Sequence, residues 1–315
     1  MGLTIGVDIG GTKIAAGVVD EDGTMIAKTR RNTSASDVGA IQAEVADAVA
    51  ELRSEHEVIA VGVAAAGFVD AASGVVLFAP NLAWRDEPLK ADLTKRIGLP
   101  VVIENDANAA AWGEFRFGAA REVEDAVLVT VGTGLGGGIV MDGRVLRGHV
   151  GVGGELGHVR MVPDGIRCGC GNRGCWEQYA SGNALQREGR ELVATGSPFG
   201  ARLSELCGGD PEKLRGGMIT QAAGEGDAAA LDLLADLGHW LGEGMAQIAA
   251  VLDPALFVVG GGVVEAGDLV IGPARAALAR QLTGRAHRPE IGIVPAALGT
   301  GAGVIGAADL ARAAG

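Results

Sequence analysis

Long apolar runs are missing from this chain. Its most apolar stretch, from about Ile248 to Val259, is interrupted by Asp253-Pro254, and no segment reaches the roughly 18 uncharged apolar residues of a membrane-spanning helix. An excess of positive charge is missing too. The formal net charge is −13, which opposes binding to nucleic acid or an anionic membrane through a general electrostatic field. A nucleotide is still allowed, because local backbone amides can hold its phosphates. The chain runs straight into Leu3-Thr4-Ile5-Gly6-Val7 without a basic leader or cleavage site, so a cytoplasmic protein is expected. Cysteine is scarce, with four in all, and nothing marks the chain as secreted, so a disulfide framework is not expected. No long linker or low-complexity tract interrupts the sequence.

Glycine is abundant, 53 of 315 residues, against a usual share of roughly 7%. No Gly-x-y period accompanies it, so the excess belongs to turns and to loops that approach a ligand closely. Apolar residues make up 48%, and the length suffices for two domains with a core each.

Three of the four cysteines fall in one stretch, Gly153-Gly154-Glu155-Leu156-Gly157-His158 followed by Cys168-Gly169-Cys170-Gly171-Asn172-Arg173-Gly174-Cys175-Trp176-Glu177. Three thiolates and the His158 imidazole make a complete tetrahedral shell for Zn²⁺ of the closed, structural kind. Cys168 and Cys170 are too close in sequence for easy disulfide geometry. Folding back so tightly calls for positive φ, which Gly169, Gly171 and Gly174 are expected to supply. Glu155 and Glu177 bracket the cluster and are not needed by a four-ligand shell, so they are available for something else.

Residues 3–7 read as a buried strand ending in Asp8-Ile9-Gly10-Gly11-Thr12-Lys13. A strand from Ile14 to Val19, an Asp22-Gly23 hairpin and Met25–Lys28 follow, an antiparallel meander. Ser36 is the expected cap of a helix whose apolar residues are Ile41, Val45, Val49 and Leu52. Strands at Val58–Ala64, Val75–Phe78 and Val101–Ile103 come next, the last ending at Glu104-Asn105-Asp106, where an alanine-rich helix to about Gly113 begins. From Ala126 the opening pattern recurs: strand to Val131, glycine loop Gly132–Gly138, strand Ile139–Met141, Asp142-Gly143 hairpin, Val145-Leu146. That echo suggests two related halves. A long helix over 227–252, a strand Leu256–Val259 entering Gly260-Gly261-Gly262, another helix, a strand Ile291–Val294 and a helix from about Gly301 complete the chain.

Gly132-x-Gly134-x-x-Gly137 matches the dinucleotide fingerprint, but that motif needs a helix after its glycines. Here β-branched residues and a hairpin follow, so a Rossmann fold is rejected. Glycine turns between strands still form anion-binding nests. Gly10-Gly11 and Gly132–Gly134, with the hydroxyls of Thr12 and Thr133 and the amine of Lys13, are two candidate phosphate loops. Asp8 is either a turn-capping residue or the carboxylate beside the Mg²⁺ of a nucleotide. Gly261 and Gly262 present no side chain to crowd a flat ring and suit an adenosine contact. Asp106 is either the N-cap of its helix or a chemical group. Together Asn105, Asp106, Glu155 and Glu177 are what a polyhydroxylated substrate requires, each carboxylate accepting a proton from a hydroxyl.

These stretches, in this order and over essentially the whole chain, resemble the ROK family (repressors, open reading frames and sugar kinases) of the hexokinase–actin superfamily. The resemblance implies an α/β protein of two-domain hexokinase/actin-like (ribonuclease H-like) fold with an interdomain cleft that closes over the sugar. A smaller domain of residues 1–110 plus about 301–315 and a larger one of 111–300 carrying the zinc loop are expected. Within the family the chain is most similar to kinases that transfer phosphate from ATP to glucose. The resemblance implies Asp106 as catalytic base, and Gly67, Asn81, Asn105, Glu155, His158 and Glu177 around the sugar. It places His158, Cys168, Cys170 and Cys175 on structural zinc, and Asp8, Gly10, Gly11, Thr12, Lys13, Thr133, Gly134, Gly261 and Gly262 at ATP and Mg²⁺. It also implies a homodimer or homotetramer without nucleic-acid or membrane partners. The alternatives are a kinase of fructose, mannose or N-acetylmannosamine, a sugar-sensing regulator without turnover, and an actin-like assembling ATPase, which has no use for zinc-bracketed carboxylates.

Overall fold

The computed structural model describes residues 2–33, 37–79 and 82–313. β1 (Leu3–Ile9), β2 (Lys13–Val19) and β3 (Met25–Asn32) form the expected antiparallel meander, with Ile9 opposite Ile14 and Ile14 opposite Arg31. The β2–β3 turn falls at Asp22-Gly23 as read, but it runs from Asp20 to Thr24 because Asp20 Oδ1 accepts the Asp22 and Thr24 amides. α1 (Val38–Arg53) buries Ile41, Val45, Val49 and Leu52, and its cap is Asp37, whose Oδ1 accepts the Ala40 amide at 3.0 Å. Ser36, the expected cap, lies outside the described residues.

β4 (Val58–Ala65) pairs parallel with β1. β5 (Phe68–Asp70), β6 (Val75–Phe78) and β7 (Arg85–Glu87) form a small antiparallel sheet before α2 (Leu89–Ile97). β8 (Val101–Asn105) joins β4 in parallel and passes directly into α3 (Asp106–Phe117). The sheet order is β3-β2-β1-β4-β8. Ile5, Val7, Ile9, Val61 and Val63 bury one face under α1 and α2, with Trp84, Leu89 and Leu93 in the same core.

β9 (Ala126–Val131), β10 (Leu135–Met141) and β11 (Arg144–Val145) follow. Asp142 and Gly143 both have positive φ, 50° and 66°, the type I′ geometry that suits a two-residue hairpin. The remaining elements are α4 (Gly182–Ala194), α5 (Ala201–Leu206), α6 (Gly216–Gly224), α7 (Ala228–Leu252), β12 (Leu256–Gly260), α8 (Asp268–Gln281), β13 (Gly292–Pro295) and α9 (Ala302–Arg312). The second five-stranded sheet is ordered β11-β10-β9-β12-β13, so the echo read from the sequence is a repeat of strand order. α9 lies on the first sheet because Gly6 and Gly62, register partners, leave room for it: a Cβ on either would sit 1.8 Å from a carbonyl oxygen of α9. The chain forms two compact units, Met1–Leu128 with Gly137–Gly154 and Ala296–Gly315, and Val129–Gly136 with Glu155–Pro295. Among the described residues no helix is long and apolar enough to cross a membrane.

Candidate active site

In the first unit, Asp8 stands at the end of β1, just before the Gly10–Thr12 turn, where the Gly10 amide donates to the Lys13 carbonyl at 2.9 Å. Thr12 and Lys13 are exposed. Burial, and after it the charge of Asp106, push the Asp8 carboxyl up to about 6, so the structure brings these two carboxylates within electrostatic reach. A carboxyl whose folded value lies above its ordinary one favours folding below the ordinary value. That contribution disappears as pH rises through about 6, above which the buried charge is a cost. Asp8→Asn is therefore expected to raise the Tm of the unliganded protein at about pH 7.5 and to leave it unchanged at about pH 4, a difference read by calorimetry at the two pH values. A Tm gain of equal size at both would contradict the burial of this charge.

The N-cap of α3, one of the two readings of Asp106, falls to its neighbour Asn105. Asn105 is the N-cap of α3: its Oδ1 accepts the Asn108 amide at 3.0 Å, while its Nδ2 donates to the Gly67 carbonyl at 3.0 Å. The capping assignment for Asp106 is thus corrected, since an extended residue is needed at the cap and Asp106 is already the first helical residue. Its Oδ1 accepts the adjacent Ala107 amide, at 2.9 Å. Burial raises the Asp106 carboxyl above the ordinary range, partly opposed by that amide. α3 also runs past Gly113 to Phe117. The structure therefore gathers Gly67, Asn105 and Asp106, and Gly67 contributes a carbonyl that holds Asn105. Asn81 lies outside the described residues.

In the second unit the turn is Gly132-Thr133-Gly134, closed by the Gly132 amide on the Gly134 carbonyl at 3.0 Å. The N-terminus of α4 is tied to it, with the Gly182 and Asn183 amides donating to the Gly132 and Thr133 carbonyls. The glycine loop read as Gly132–Gly138 is shorter than that, because β10 begins at Leu135. Gly138 serves packing: a Cβ there would lie 2.5 Å from the Ala107 carbonyl in α3. Beside the turn is a cavity of about 460 Å³ whose walls include Thr133, Gly216, Gly217, Thr220, Gly262 and Glu265. Gly262 has nothing within 4 Å of its missing Cβ and opens onto this space. Gly261 does a different job: at φ 88° it lies against β9, where a Cβ would meet the Val131 carbonyl at 2.3 Å. The Gly216-Gly217 pair at the start of α6 is a wall of the cavity that sequence reading missed, and the paired glycines were the signal for it.

The sulfur–histidine cluster forms. One donor atom from each of His158, Cys168, Cys170 and Cys175 lies within 4.8 Å of all the others. Cys170 and Cys175 sulfurs are 3.7 Å apart, and Cys168 Sγ is 3.7 Å from His158 Nδ1. Two sulfurs at about 2.3 Å from a tetrahedral zinc are about 3.8 Å apart, so the donor set fits that ion. Gly171 and Gly174 have the expected positive φ, but Gly169 does not. The loop is anchored by Trp176, fully buried, whose Nε1 donates to the Trp240 carbonyl at 2.8 Å. Glu177 follows on a 3₁₀ turn. Its Oε1 is 2.9 Å from Cys168 Sγ and 3.8 Å from His158 Nδ1, and its Oε2 would be 2.9 Å from a Cβ placed on Gly134. The carboxylate that follows the cysteine cluster therefore sits against the Gly132–Gly134 turn. Glu155 is half-buried and opens the turn Leu156–His158. Cys207 is buried elsewhere, its thiol on the Ser204 carbonyl.

Two sheets of like strand order, each with a glycine turn after its first strand, are those of the hexokinase/actin-like fold. The ROK family model matches residues 4–314, and the chain belongs to the ROK family. The glucokinase of Streptomyces coelicolor is 50% identical over 312 residues, covering 99% of this chain and 98% of that protein. The glucokinase of Thermotoga maritima is 38% identical over 273 residues, 86% of this chain and 85% of that one. A ROK family glucokinase from Streptomyces griseus, solved in complex with glucose and AMPPNP, superimposes with a TM-score of 0.88 at 50% identity, covering 99% of this chain and 100% of that one.

Proposed function

We propose that this chain is an ATP-dependent kinase of D-glucose: ATP + D-glucose → ADP + glucose 6-phosphate. The observation that carries it is Asp106, half-buried and set at the first residue of α3 with the capping duty taken by Asn105. Asp106 accepts the proton of the 6-hydroxyl as that oxygen attacks the γ-phosphorus, and the bond to the β-phosphate oxygen breaks in line. Asn105, fixed through its amide on Gly67, and Glu155, His158 and Glu177 take the other hydroxyls. The turns Gly10–Thr12 and Gly132–Gly134, with Lys13, hold the phosphates, and the cavity at Gly216, Gly217 and Gly262 takes the adenosine. Most of the catalysis in phosphoryl transfer lies in such positioning and charge neutralisation. Magnesium, when bound with the nucleotide beside Asp8, neutralises phosphate charge. His158, Cys168, Cys170 and Cys175 would hold a structural zinc, which would fix the loop that carries Glu155 and Glu177. His158 Nδ1 faces the sulfurs, which leaves Nε2 for a sugar hydroxyl.

The test is ADP release at matched concentrations of glucose, fructose, mannose and N-acetylmannosamine. Glucose is expected to give the highest kcat/KM. Sugar-independent ADP release points to an assembling ATPase instead, and sugar binding without turnover to a regulator.

A further inference from the structure

Glu104, the residue before Asn105, is a buried carboxylate that no step above uses, with its side chain 3% exposed. Its two oxygens face opposite tasks. Oε2 lies 2.7 Å from both Nε and Nη2 of Arg147. Oε1 accepts the backbone amide of Asn105 at 3.1 Å and the side-chain amide of Asn108 at 3.2 Å. Asn108 in turn gives its backbone amide to Asn105 Oδ1. Arg147 also closes the loop that follows β11, since its carbonyl accepts the Gly153 amide at 2.9 Å. From that loop the chain continues to Glu155.

Burying the Glu104 carboxylate against a partly exposed guanidinium adds little net stability, because its desolvation offsets the attraction; what the pair offers is a fixed geometry. Here the geometry it fixes is the Glu104–Asn105 peptide, one residue before Asp106, and, through Asn108, the first turn of α3. We propose that Arg147 is a positioning residue for the phosphoryl transfer: by holding Glu104 it sets the directions in which Asn105 and Asp106 meet the sugar. The inference rests on the reading of Asp106 as base. A lysine in place of Arg147 keeps the charge opposite Glu104 but loses the planar fork that reaches Oε2 through two nitrogens.

The experiment is Arg147→Lys in the full chain, with Arg147→Ala and Asp106→Asn assayed in parallel. Misplacing a catalytic group by about 1 Å costs up to about 10²-fold. Arg147→Lys is expected to lower kcat/KM for glucose by about tenfold or more, with KM for ATP within about twofold of native and Tm little changed. Arg147→Ala is expected to lose more, and to recover severalfold on adding ethylguanidinium, which a loss of stability alone would not allow. Arg147 lies 36% exposed, open enough for such a cation to enter. Should the alanine variant not fold, the lysine variant decides alone. A kcat/KM for glucose within twofold of native in Arg147→Lys overturns the proposal, as does an equal loss in KM for ATP. If Asp106→Asn keeps native kcat, the reading of the base has failed; if it loses kcat while Arg147→Lys does not, only the present inference has.

Discussion

Asp106→Asn is expected to lower kcat by about 10²–10⁴-fold at saturating glucose and ATP, the usual worth of a positioned general base. The change keeps size and one oxygen, so glucose affinity measured separately by calorimetry should alter only modestly. Stability should barely move, for two reasons that oppose each other. A carboxylate in the first turn of a helix is favoured by the helix dipole by about 0.3–1 kcal/mol, and the variant forgoes this. Against it, burial raises the Asp106 carboxyl above its ordinary range, so a neutral amide there relieves a buried charge. The cap itself is untouched because Asn105 supplies it. The pH profile gives a second readout. A base must be ionised, so native kcat/KM falls as pH drops through the raised value, and the variant should lose that acid limb. A kcat within a few-fold of native would move the search for the base to another carboxylate.

What the sequence could and could not reveal follows from the range over which each feature is determined. Asp142-Gly143 was legible as a two-residue hairpin because both residues tolerate positive φ, and the turn needs nothing beyond its own residues. The meander of β1, β2 and β3 was legible for the same reason, and the β-branched residues and Asp142-Gly143 hairpin after Gly132–Gly137 ruled out the dinucleotide reading of that loop. Gly138 was misread as loop because a glycine in a strand and a glycine in a turn look alike in one dimension; only α3, crossing at the Ala107 carbonyl, distinguishes them. Asp106 was the candidate for the cap, and one residue of strand length moved that duty to Asn105: β8 extends through Asn105. Gly216-Gly217 was missed because the cavity it lines is assembled from segments distant in sequence, including Thr133 and Gly262. Arg147 shows the same limit, as its partner Glu104 lies on another element of the fold.

Cys170→Ser is expected to abolish zinc binding and, with it, most sugar turnover, a loss in kcat/KM for glucose of about 10²-fold or more. Cys168→Ser and Cys175→Ser should do the same, but they are less clean probes. Both of those cysteines are buried, so a serine there also places a hydroxyl in a closed space, whereas Cys170 is exposed and has no packing role to lose. Its effect therefore reports the metal. A serine hydroxyl stays protonated where a thiol yields a thiolate, so three ligands remain for an ion that structural sites hold with four. Without the ion, Cys168 to Cys175 lack the bond that fixes their separation. Trp176 stays seated by its own burial and its bond to Trp240, while Glu177 is left to the thiol of Cys168. The Gly132–Gly134 turn should feel this too, since Glu177 sits against Gly134. Cys207→Ser is the control, being outside the cluster, and should keep both metal and turnover. Metal analysis decides: about one zinc per native chain is expected, and the same content in Cys170→Ser would show that this cluster is not where the ion is held.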